Sequence, residues 1–118
     1  MSSKTFDLNK QLDDAILGGK AMEAFEELYD ENCIMQENTE PEYRGKAFNR
    51  EREIEFFKSV EAWHGGKVLS QAAEGNVSFS EFEMEVSLRG VGRITMTQVA
   101  VRRWNDAGQI VHERFYHK

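Results

Sequence analysis

Apolar residues at Phe6, Leu8, Leu12, Ala15, Ile16 and Leu17 recur close to a helical period and stop at Gly18 and Gly19. Met22, Phe25, Leu28 and Tyr29 resume the period, which predicts two helices joined by a tight glycine turn. Cys33, Ile34 and Met35 make a short apolar run, read as a lone strand, before the polar loop "NTEPEYRG". Helical spacing returns from Lys46 through Phe48, Phe56, Phe57, Val60 and Trp63, with Gly65 and Gly66 as the predicted stop of a third helix.

Everything after that stop reads as strand. "KVLSQAAEG" is weakly apolar, whereas in "SFSEFEMEVSL" Glu81, Glu83 and Glu85 alternate with Phe82, Met84, Val86 and Leu88, so one face of that strand is solvated. "RITMTQVAVRRW" and "QIVHERFYHK" are two long strands joined by the short turn "NDAG". Three helices, one lone strand and a meander of about four antiparallel strands predict an α+β fold in which helices cover one face of a sheet. The hollow between them is the expected ligand site. No repeat divides the chain, so residues 1–118 read as one domain.

Composition narrows the function classes. The chain has 118 residues, of which 40% are hydrophobic and 31% charged, an ordinary globular balance that needs no metal or disulfide to fold. Its only cysteine, Cys33, cannot form an intramolecular disulfide, and no basic-then-apolar leader precedes the first helix, so a cytoplasmic location is expected. No apolar run approaches the roughly 20 residues that span a bilayer. A net charge of −6 argues against nucleic acid as partner, because phosphate binding needs a clustered basic surface.

The glycine-turned helix pair, "LYDENCIMQEN" at the first strand, "YRGKAF" before the third helix and the closing "RRWNDAGQIVHERFYHK" together resemble the nuclear transport factor 2-like superfamily and its SnoaL-like branch. The resemblance spans essentially the whole chain. It implies a cone-shaped α+β barrel, with three N-terminal helices packed on a curved, mostly antiparallel sheet around a deep, largely apolar cavity. It also implies homodimers packed through the outer sheet face. Relatives with this fold include isomerases, cyclases, hydrolases, dehydratases and non-catalytic binding modules, so the fold alone does not choose an activity.

Carried over by position, the general base of the steroid isomerases falls on Glu37. Their helix-borne proton donor falls near Leu12 and their second donor at Ala100, neither of which can donate, so the oxyanion-stabilising half of that chemistry is missing. Glu37 then reads either as a solvated loop acid or as a carboxylate tuned by an apolar cavity mouth toward general-base work. On the last strand, alternation places Val111, Glu113, Phe115 and His117 on one face and Ile110, His112, Arg114 and Tyr116 on the other. The resemblance assigns Glu113 and Phe115 to the cavity side, with Gln98, Ala100, Arg102 and Trp104 on the neighbouring strand. Arg102 and Glu113 can then be a structural ion pair, a ligand-orienting element or catalytic groups.

Trp104, Phe115, Phe57, Met84, Phe82 and Trp63 are core residues or a ligand platform, with Trp104 the strongest candidate for the latter. Trp104, Phe115, Phe57 and Met84, with Leu12 and Ala100, make up the expected ligand wall. A metal is not expected, since Glu113 and His117 lie roughly 13 Å apart along a strand at about 3.3 Å per residue. No organic cofactor is expected either. Cys33 reads as a small hydrophobe more than as a nucleophile. Thr97, Val99, Val101 and Arg103, with Ile110, His112, Arg114 and Tyr116, mix β-branched, aromatic and hydrogen-bonding residues as a homodimer surface does. The functional expectation is an isomerase, cyclase or hydrolase acting on a small apolar molecule without cofactor, with Glu37, Glu113 and Arg102 in the catalytic set. The alternative is a non-catalytic ligand-binding or dimeric association module of the same fold.

Overall fold

The Ser3 side chain accepts a hydrogen bond from the Phe6 N–H at 3.0 Å and so caps the first helix, α1, which spans Lys4–Leu17. In the computed structural model, which describes residues 3–118, Gly18 closes that helix and Gly19, at φ 81°, turns the chain into α2, Ala21–Leu28. Then come strands β1, Tyr29–Glu37, and β2, Tyr43–Arg44, the helix α3, Lys46–Ser59, and strands β3, Val60–Glu74, β4, Val77–Leu88, β5, Gly92–Trp104, and β6, Ile110–His117. Among the described residues three helices and one six-stranded mixed sheet make an α+β fold. The sheet order is β2-β1-β6-β5-β4-β3, antiparallel throughout except for the parallel pair β1 and β6.

Local pattern and observed element part company in four places. Tyr29 continues the helical period of α2, yet it is the first residue of β1, four positions before the predicted start of that strand. Its hydroxyl bonds Glu113, 84 residues away, and this tertiary contact outweighs local periodicity. The third helix stops at Ser59, six residues before Gly65, because Val60, Ala62 and Trp63 pair with Leu88, Ser87 and Val86 of β4. Gly65 and Gly66 are therefore interior strand residues, tolerated where the β3 and β4 register shifts. The loop "NTEPEYRG" contains the two-residue strand β2.

The fourth departure sits on β6. Strict alternation puts Ile110 on the outer face with His112, but Ile110 is fully buried in the core. The register explains it: Arg103 pairs with His112 whereas Trp104 pairs with Ile110, so Val111 is the extra residue of a bulge that turns Ile110 inward. One apolar cluster gathers Leu12, Phe25, Leu28, Cys33, Trp104 and Ile110 between α1, α2 and the sheet; a second joins Phe82, Met84 and Ala100. No helix among the described residues is long and apolar enough to cross a membrane.

Candidate functional site

Between the helices and the inner sheet face lies a cavity of about 450 Å³. Its wall is mostly apolar, and Leu12, Phe57, Met84 and Phe115 belong to it, as do Trp63 and Phe82. Four carboxylates reach the same wall: Glu23 from α2, Glu37 from β1, Glu53 from α3 and Glu113 from β6. The only guanidinium among its described lining residues is that of Arg52.

Glu37 is placed by its neighbour. Asn38 adopts φ 50°, a left-handed conformation that asparagine tolerates, and its N–H donates to the Phe115 carbonyl at 2.8 Å. Its side-chain oxygen accepts from the His117 N–H at 2.9 Å, and its carbonyl accepts from Arg114 Nε at 2.7 Å. This clamp fixes the end of β1 on β6 and sets Glu37 Oε2 2.7 Å from His117 Nε2 at the cavity rim. His117 is held above its ordinary value by the bond to the Lys118 carbonyl and then by that to Glu37.

Glu113 lies at the inner end and is fully buried. Oε1 accepts from the Tyr29 hydroxyl at 2.6 Å and Oε2 from Arg102 Nε at 2.7 Å. Arg102 sits behind the wall, also fully buried, and its Nη1 donates to Asp13 Oδ1 at 2.7 Å and to Asn9 Oδ1 at 2.8 Å. Ser80 and Gln71 donate to the other Asp13 oxygen, while Ser78 joins Asn9 to the indole N–H of Trp104. Burial alone would lower the Arg102 pKa, but Glu113 and Asp13 more than offset it and the guanidinium stays charged. Burial first, and then the charge of Glu113, push the Tyr29 phenol well above its usual range. Arg102 Nη2 is the one buried side-chain nitrogen or oxygen left without a partner among the described residues.

This arrangement revises the sequence-based site. Arg102 does not reach the cavity; it positions Glu113 from behind. Ala100 and Trp104 are not on the wall either: both are core, and Trp104 spends its polar N–H on Ser78. Their strand parity was legible, but the cavity lining on β5 stops at Met96 and Gln98, and beyond them Asn9 and Asp13 of α1 bond Arg102 directly and leave no hollow. Cys33 is fully buried, and burial raises its thiol to about 11, the behaviour of a packed hydrophobe. Among the described residues no group of three His, Cys, Asp or Glu side chains is placed to hold a metal ion.

Two features escaped the pattern reading. Asn9 and Asp13, spaced i and i+4, are fully or almost fully buried on the same stripe as Leu12, and a purely apolar count skips them. Glu53 is the other. It precedes Phe56 and Phe57 by three and four residues, so helical spacing puts its carboxylate on their cavity-facing side. Half-buried and without a hydrogen-bond partner among the described residues, Glu53 has its carboxyl pushed up to about 7. Desolvation is the main cause; Glu113 and Glu37 add to it, and Arg52 opposes it.

A family model described as the SnoaL-like domain matches residues 5–117. The chain belongs to the SnoaL-like domain family. No curated protein sequence matches it. Among solved structures, this SnoaL-like domain is similar to a protein from Mesorhizobium loti described as a SnoaL-like polyketide cyclase, at TM-score 0.83 and 24% identity over 94% of this chain and 97% of that one. It is similar to an NTF2-like protein of unknown function from Burkholderia pseudomallei, at TM-score 0.83 and 9% identity over 99% and 92% of the two chains. An LEH-like epoxide hydrolase from M. tuberculosis superposes at TM-score 0.78 and 15% identity, over 98% of this chain and 83% of that one. At these identities the likeness establishes the fold.

Proposed function

We propose that this SnoaL-like domain is a cofactor-independent enzyme that takes a small, largely apolar substrate into the cavity and moves a proton on it, as an isomerase, cyclase or hydrolase does. The observation that carries the reading is Glu53, half-buried on an apolar wall with no hydrogen-bond partner among the described residues, where desolvation pushes its carboxyl up to about 7. General acid-base work is most efficient when the group titrates near the working pH. Glu37, at the rim with His117, is the second proton-handling carboxylate, and the two acids sit in different surroundings, which lets one give and the other take. Glu113 orients the polar end of the substrate, with Arg102 and Tyr29 as its positioning residues. The fold neighbours described as a polyketide cyclase and an epoxide hydrolase make ring closure and epoxide opening the first reactions to assay.

The test is turnover of a panel of apolar 1,2-epoxides and β-dicarbonyl esters by the wild type and by Glu53→Gln. For a substrate that turns over, the rate is expected to follow an ionisation near 7, and Glu53→Gln to lose about 100-fold or more in kcat while keeping its far-ultraviolet circular dichroism. Turnover by Glu53→Gln at the wild-type rate removes the proposed role. We further propose that the protein is a homodimer through the outer face of β5 and β6, where Val99, Val101, His112, Arg114 and Tyr116 stand.

A further inference from the structure

The aromatic side chains and the carboxylates of the cavity point to one ligand chemistry. We infer that the molecule bound there is an organic cation, an apolar body carrying an ammonium or another positively charged nitrogen. The inference rests on the cavity being the ligand site, as proposed above, and adds the charge of what enters it.

Charge is the first argument. Glu23, Glu37, Glu53 and Glu113 share the wall with Arg52, the only Lys or Arg among its described lining residues. Arg52 is occupied elsewhere: its Cζ stands 3.5 Å from the centre of the Tyr43 ring and its Nη1 donates to Asn49 Oδ1 at 3.1 Å. Glu113 has both oxygens engaged by Tyr29 and Arg102, and Glu37 has one engaged by His117. Among the described residues no cation forms an ion pair with the Glu53 carboxylate, on which Arg52 acts only through space. An anionic ligand would face four acids; beside a neutral one Glu53 keeps its proton, whereas a cation gives its carboxylate a partner.

Aromatic placement is the second. Phe56 and Phe57 follow Glu53 by one helical turn and meet edge to face at 5.4 Å between ring centres. Trp63, 42% exposed, stands at the rim, and Phe82 and Phe115 lie deeper. Ring faces attract a cation while also covering its alkyl groups, and the attraction grows as water is excluded.

The titration of Glu53 agrees with both. Its carboxyl is raised by desolvation, then by Glu113 and Glu37, and lowered by Arg52. The other titratable groups on the wall are Tyr29 at the start of β1 and Glu23 on α2; the lining residues of α1, β3, β4 and β5 carry none. A bound cation supplies the missing counter-charge, and Glu53 then releases its proton to solvent. Affinity for a cation of fixed charge should rise with pH through about 7 and level off above it.

The experiment compares benzyltrimethylammonium with its uncharged carbon isostere, neopentylbenzene, each titrated into the whole protein and followed by nuclear magnetic resonance shifts of the Trp63 indole. At about pH 8 the cation is expected to bind about tenfold more tightly than the isostere. That advantage should shrink severalfold at about pH 5.5 and in Glu53→Gln, with the isostere's affinity unchanged in both cases. An isostere that binds as tightly as the cation at the higher pH overturns the inference and leaves the apolar-substrate reading standing. Binding of neither probe overturns both. A cation advantage that Glu53→Gln leaves intact refutes the assignment of the cation's partner.

Discussion

At the scale of single residues, the two acids of most consequence are handled in opposite ways. Glu113 is buried with a phenol and a guanidinium on its oxygens, whereas Glu53 is placed against aromatic rings with no such partner among the described residues. The price appears in stability. Because the Glu53 carboxyl is raised from 4.5 to about 7 in the folded protein, the native state holds a proton that the unfolded chain has already lost across that window. Stability from this group therefore falls as pH climbs from about 4.5 to about 7 and is flat above it. Glu53→Gln cannot ionise and should escape the fall, so it should be more stable than wild type by about 1 to 3 kcal/mol near pH 8 and nearly equal to it near pH 4. Urea unfolding at the two pH values measures the difference; an equal gain at both would mean that the benefit is not ionisation.

Arg102 is the opposite case. Its removal leaves Asp13 and Glu113 as buried acids without their shared cation, a change that costs about 3 to 5 kcal/mol where it has been measured in proteins. Arg102→Met keeps most of the side-chain volume and should lower the urea midpoint by that equivalent. A loss below about 1 kcal/mol would show that the network contributes little to holding α1 on the sheet.

At the scale of elements, the sequence is legible where one face of a segment meets water and the other meets the core. The alternation of Glu81, Glu83 and Glu85 with Phe82, Met84 and Val86 reads directly as β4, and Gly18 and Gly19 read directly as the turn between α1 and α2. It is illegible where pairing with a distant strand decides. Val60 to Trp63 carry a helical spacing but belong to β3, and Ile110 faces inward only because Val111 bulges. The site shares that limit: Glu113 and Phe115 are readable from strand parity, whereas the union of Asp13 with Arg102 joins residues 89 positions apart and leaves no local trace. Glu53 was readable in principle, since it shares a helix face with two phenylalanines. Gly66 tests the most surprising element boundary. A Cβ there would stand 2.8 Å from the Glu83 carbonyl oxygen and 2.8 Å from Leu17 Cδ2, closer than β3, β4 and α1 allow. Gly66→Ala should cost about 1 to 3 kcal/mol in a denaturant melt, and a neutral result would mean that β3 and α1 pack less tightly at this position than the distances state.

At the scale of the whole molecule, the sheet divides the work. Its inner face, with the helices, makes the cavity; its outer face is left with Phe79 and Tyr116 at 38% and 42% exposure beside half-buried Val99 and Val101. Register lines these up in rows, Phe79 beside Val101 beside Arg114 and Glu81 beside Val99 beside Tyr116, an apolar strip with charged ends. A strip of this composition on one sheet face suits a second copy of itself, because rows of β-branched and aromatic side chains interdigitate and the flanking charges can pair across a two-fold axis. The dimer proposal then has a sharp consequence. Light scattering should give about twice the 13.6 kDa chain mass. Val101→Glu, which places a carboxylate in the middle of the strip, should return the mass to that of one chain while leaving the fold intact, since Val101 contributes nothing to either core cluster. A wild-type mass of 13.6 kDa at every concentration in a dilution series would end the proposal and leave the strip as an exposed sheet face of a monomer.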